Sequence, residues 1–158
     1  MFTSRQQDVM SKAPNSLKVS YSALRELAIN CKLTMSDREA LAEHIMKADR
    51  IGGDVYILLA RLLSMKLLYA SALTNDEALP CFAASGSHVT FQIDDLEPQS
   101  RFLFHNNESN SNQNGIHVAT LLGATLIGLR FGANENLLQN NGSFRRIHLI
   151  NVTHPSQI

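Results

Sequence analysis

The run Ile116-His117-Val118-Ala119-Thr120-Leu121-Leu122-Gly123-Ala124-Thr125-Leu126-Ile127-Gly128-Leu129-Arg130-Phe131-Gly132 decides how this chain is read. Gly115 to Val118 make a short apolar strand, and Leu121 to Leu129 then supply a small helix that Gly132 stops. Upstream the pattern alternates: Val89, Phe91 and Ile93 point one way, and His88, Thr90 and Gln92 the other, as in a half-buried strand. Asp94-Asp95 and Glu97-Pro98 turn the chain into a second strand, Arg101 to His105, and Asn106 to Gly115 form a loop. Downstream, Glu135 to Leu138 and Phe144 to Val152 are strands around the turn Asn140-Asn141-Gly142. The C-terminal half is thus a β domain holding one short helix, and the chain is of α+β class.

The other half reads as helix. Residues 1–19 are polar and carry Pro14, Asn15 and Ser16, the composition of a mobile extension. Ser20 to Asn30 predicts a short helix, with Leu24, Leu27 and Ala28 at helical spacing. Ser36-Asp37-Arg38-Glu39 fits a capping box, in which the serine oxygen accepts from the Glu39 amide while the Glu39 carboxylate reaches back. The helix it opens places Ala40, Leu41, His44, Ile45 and Ala48 on one face. Ile51-Gly52-Gly53-Asp54 supplies a glycine stop and, in Asp54, a fresh N-cap for a second helix from Val55 to about Ala70. Two such helices make an antiparallel hairpin with arms of about 20–24 Å at 1.5 Å per residue. Thr74 to Pro80 breaks the pattern, which divides the chain into an extension (1–32), a hairpin (33–73) and a β domain (82–158).

Composition narrows the function classes. Lys plus Arg equals Asp plus Glu at 14 each, so no global field draws the chain to nucleic acid, and direct sequence-specific DNA binding is disfavoured. Cys31 and Cys81 have no CxxC spacing, which is expected of reduced thiols in a cytoplasm. The first residues lack a secretory core, so the sequons at Asn107, Asn141 and Asn151 read as chance matches. Val55 to Ala72 is the most apolar stretch, but Arg61 and Lys66 interrupt it and argue against a membrane span. Its stripe of Val55, Leu58, Leu59, Leu62 and Met65 is expected to be buried or to join two copies as a homodimer.

The quoted run resembles the signature of the C-terminal domain of Gre transcript-cleavage factors and of Rnk, the regulator of nucleoside diphosphate kinase. Gly123, Gly128 and Gly132 fall in register with that signature. The likeness extends to Ser87-His88-Val89-Thr90-Phe91 as the first strand, to Gly142-Ser143-Phe144-Arg145-Arg146-Ile147 as the last hairpin, and to Leu33 through Leu41 as the opening of an Rnk-type short hairpin. Two positions depart from it: the family's helix-starting proline is Leu121, and its aspartate after the last glycine is Ala133. The second arm is also more apolar than the family's.

The resemblance implies an FKBP-like, antiparallel β domain, and a non-enzymatic cytoplasmic regulator that binds RNA polymerase near its secondary channel without a cofactor. In Gre factors an acidic pair at the hairpin tip helps hold magnesium in the polymerase active centre. The tip here offers Asp49 and Asp54 as partner-facing residues, but the arm is too short for that role, and Asp54 is explained as a cap. His88, His105, His117 and His148 fall in predicted strands without metal-ligand spacing, so no metal is expected. A prolyl isomerase or chaperone-type module is the alternative. It is disfavoured because the domain has no Trp or Tyr and needs its phenylalanines for the core.

Overall fold

A computed structural model describes residues 18–74, 81–105 and 115–154. The polar extension through Pro14, Asn15 and Ser16, the break at 75–80, and the Asn-rich loop with its Asn107 sequon lie outside the described residues.

Three helices form the first half: α1 (Tyr21–Glu26), α2 (Met35–Ile51) and α3 (Asp54–Tyr69). The cap of helix α2 lies two residues before the predicted one. It is Thr34, whose Oγ1 accepts from the Asp37 amide at 3.0 Å. Thr34 and Ser36 both have cap chemistry, and tertiary context chooses, because Lys32–Leu33 (β1) is already extended and the helix begins where that strand ends. Gly52 ends α2, and Gly53 rather than Asp54 is the N-cap of α3, without a side-chain bond. Asp54 is instead the first helical residue, where its charge still favours the helix N-terminus. Seventeen and sixteen residues give arms of about 24–26 Å.

Strand β1 pairs in parallel with β2 (Ser71–Ala72), so the two ends of the hairpin are tied together. The second sheet contains β3 (His88–Ile93), β4 (Gln99–Phe104), β5 (Gly115–His117), β6 (Asn134–Leu138) and β7 (Phe144–Thr153), in the order β5-β4-β3-β7-β6. All its pairs are antiparallel except β4 with β5, so the expected antiparallel sheet has one parallel edge. A bulge between Thr90 and Phe91 shifts the β3–β7 register, yet Val89 and Phe91 stay fully buried. Helix α4 (Leu121–Leu126) packs on α3 and β6.

One continuous apolar core runs from Leu24 in α1 to Val152 in β7. It leaves the homodimer expectation without support, because Leu58, Leu59 and Leu62 are at most 2% exposed within the chain. The cover comes from α2, α1 and α4, which all pack on α3; Met65 is part-buried, and of the five only Val55 is exposed. Among the described residues no helix is long and apolar enough to cross a membrane. Lys66, which interrupts the apolar stretch in sequence, is fully buried, and its Nζ donates to the carbonyls of Thr125 (2.9 Å) and Ile127 (2.6 Å) and to Cys31 Sγ (3.2 Å).

Candidate functional site

Side chains of α2 meet His105, just after β4, and His117 of β5, and a polar chain crosses that seam. Asp37, in the first turn of α2, is 1% exposed. Its Oδ1 accepts from Nε2 of His105 at 2.7 Å, and its Oδ2 accepts from the Ser85 amide at 3.3 Å. Nδ1 of His105 then lies 3.0 Å from Nε2 of His44, two turns along α2. The His44 ring stacks on His105 with centroids 5.1 Å apart and meets the edge of His117 at 5.4 Å. His117 is itself fixed, since its Nδ1 accepts from the Ala119 amide at 2.9 Å and its ring packs against Phe104.

These bonds set the tautomers. With Asp37 accepting, neutral His105 carries its proton on Nε2, so its Nδ1 must accept from Nε2–H of His44. The lone pair left over is Nδ1 of His44. Burial first, and then the positive potential of His105, His117 and Lys47, lowers the His44 pKa to about 4. Burial, His105 and Lys47 lower that of His117 as well. Beside the histidines the seam opens into a pocket of about 340 Å³, whose lining also includes Lys47, Ile51, Tyr56 and Leu59 of the hairpin.

A depressed histidine pKa makes folding favour the neutral form. Above about pH 6.5 the His44 contribution is fully present; as pH falls from 6.5 toward 4 the unfolded chain takes the proton first, and stability is lost. At about 1.4 kcal/mol per pKa unit, and allowing for solvent at the pocket, we expect a loss on the order of 2–3 kcal/mol by pH 4. Denaturant titrations at pH 7.5 and 4.5 should show it, with a smaller loss in His44→Gln; an equal loss in both proteins would remove His44 as the cause.

The residues singled out from sequence fall elsewhere. Asp49 and Asp54 are exposed at the hairpin tip, near the exposed Ile51, Val55 and Tyr56. The glycines of the signature are structural. Gly123 brings α4 against the β5 backbone, and Gly128 sits at φ +81° against Leu33 and the Lys32 carbonyl. At Gly132 a side chain would meet open space. The two departures are absorbed locally: Thr120 caps α4 through the Gly123 amide at 3.1 Å while Leu121 is buried, and the turn at Ala133 closes through its own amide on the Arg130 carbonyl at 3.0 Å. Of the strand histidines, His105 and His117 join the seam instead of facing solvent. No local spacing in the sequence joins Asp37, His44 and their partners, because His44–His105 and Asp37–His105 are 61 and 68 residues apart. Among the described residues no group of three or more His, Cys, Asp or Glu is placed to hold a metal ion.

No family model matches the chain, and no curated protein is significantly similar to it. Solved structures do match. The prokaryotic transcription elongation factor GreA/GreB from Nitrosomonas europaea is 18% identical, with a TM-score of 0.55, over 79% of this chain and 98% of that one. Thermus aquaticus Gfh1 is 21% identical with a TM-score of 0.39, covering 80% of this chain and 99% of its own. The GreA factor homolog Gfh1 of Thermus thermophilus is 19% identical with a TM-score of 0.34, covering 78% and 99%. The first of these establishes a shared fold: helices followed by a predominantly antiparallel sheet.

Proposed function

We propose that this protein is a non-catalytic regulator of transcription that docks on RNA polymerase near its secondary channel, as an Rnk-like relative of the Gre factors working in the cytoplasm. The observation that carries the reading is the fold likeness to a GreA/GreB elongation factor over 98% of that factor's chain. The glycine register of residues 123–132 and the short arms point to the Rnk-like version, with regulation of nucleoside diphosphate kinase as its finer form. The tip supports binding more than metal chemistry. It exposes Ile51 at 61%, and Val55 and Tyr56 at 39% each, the kind of apolar and aromatic side chains that anchor protein interfaces.

The prolyl isomerase alternative gains nothing from the groove on the β domain. The groove of about 570 Å³ between α4 and the β6–β7 turn is lined by residues such as Leu121, Leu138, Asn140 and Arg145, with no aromatic ring to cradle proline.

The test is retention of the full chain by immobilised core polymerase at low salt and micromolar protein. Retention is expected, with Tyr56→Ala weakened about tenfold, in the range of a single interface anchor. Asp49→Asn with Asp54→Asn should change it less than about threefold, as for exposed rim charges. No retention of the wild-type chain would end the reading.

A further inference from the structure

We propose that the seam pocket binds a small organic anion, a carboxylate or phosphate head on an apolar body, and takes up one proton as it does so. The charge inventory is the first argument. Facing the pocket are His44 and Lys47 from α2, His105 after β4, His117 from β5 and Tyr56 from α3, all either cationic or able to become so except the phenol. The carboxylate of the hydrogen-bonded row, Asp37, is spent on His105 and the Ser85 amide. The imidazoles and Lys47 repel one another's protonation, which is the electrostatic condition an anion relieves. Ala48, Ile51, Leu59 and Ala119 add apolar lining to the same pocket, where the body of such a ligand would sit.

The hydrogen-bond chain supplies the coupling. Without an added proton, Nδ1 of His44 presents a lone pair, which an anion does not favour. One proton added anywhere along the chain Asp37–His105–His44 leaves both the Asp37–His105 and His105–His44 bonds intact and turns Nδ1 of His44 into an N–H donor. The heavy atoms need not move. Anion and proton therefore bind together, and each strengthens the other.

The experiment is calorimetric titration of the full chain with benzoate, phenyl phosphate and benzyl alcohol, at pH 7, in two buffers of different ionisation enthalpy. At least one anion should bind more than tenfold tighter than the alcohol, with close to one proton taken up, and its affinity should rise about tenfold from pH 7 to pH 6. Which anion binds tighter identifies the head group. His44→Gln should abolish the proton uptake. Lys47→Met, at an exposed position, should weaken the anion severalfold while circular dichroism stays unchanged, so the test stands even where His44→Gln folds poorly. Benzyl alcohol binding as tightly as either anion, anion binding without proton uptake, or no anion binding below about 10 mM, weaker than roughly −3 kcal/mol, would each overturn the proposal.

Discussion

Replacing Lys66 by alanine is expected to lower the unfolding free energy by roughly 3–5 kcal/mol, and the melting temperature by about 10 °C or more. Two losses add. The long side chain fills the centre of the core between α3 and α4, and its removal leaves a cavity. Its ammonium is also the donor for the carbonyls of Thr125 and Ile127, at the end of α4, where a helix has no partners of its own to offer. Lys66→Met separates the two effects. Methionine restores most of the volume and removes the cost of burying a charge, but leaves both carbonyls without their donor, so a loss of about 1–3 kcal/mol should persist. Paired denaturant titrations measure this directly. A methionine variant as stable as the parent would mean that the carbonyls find other donors.

The second large effect is expected at Gly123. A Cβ there would lie 2.8 Å from Cα of Val118 and 2.9 Å from the carbonyl carbon of His117, closer still to that carbonyl's oxygen. These are backbone atoms, so no rotamer change relieves the clash; α4 has to move off β5. Gly123→Ala should therefore cost about 2–4 kcal/mol despite the better helix propensity of alanine, which alone would contribute roughly 1 kcal/mol in the other direction. Gly132→Ala, where the space is open but φ is +87°, should cost about 1–2 kcal/mol from strain alone. Thermal melts of the two variants decide it: equal losses would show that α4 yields easily.

Both expectations concern residues whose roles were unevenly legible. The strands and the hairpin were readable because their signals are local. Alternation around Phe91, the glycine pair at 52–53 and the Asn-Gly turn each act within a few residues. The start of α2 was misread by two residues because Thr34 and Ser36 both satisfy a cap pattern, and the paired strand β1 makes the choice. The stripe on α3 carried the right apolar residues, but its cover beyond α2 is α1, six residues long and weakly periodic, together with α4 from the other half of the chain. Lys66 read only as a charge in an apolar run, since its acceptors on Thr125 and Ile127 are 59 and 61 residues away. The same holds for Asp37, His44, His105 and His117. Each is ordinary where it stands, and only the tertiary fold, which brings α2 near the ends of β4 and β5, joins them.

The parallel pairing of Lys32 with Ser71 and Leu33 with Ala72 makes the hairpin a cassette. Its entry and exit points sit side by side, fastened by the Ser71 amide on the Cys31 carbonyl at 3.0 Å and the Leu73 amide on the Leu33 carbonyl at 2.9 Å. Splicing about seven residues into each arm next to the glycine pair would carry the tip some 10 Å outward while leaving that fastening untouched. Arms of different size can thus be exchanged on one unchanged sheet, and the span of such a protein becomes a parameter that insertion and deletion adjust without refashioning its core.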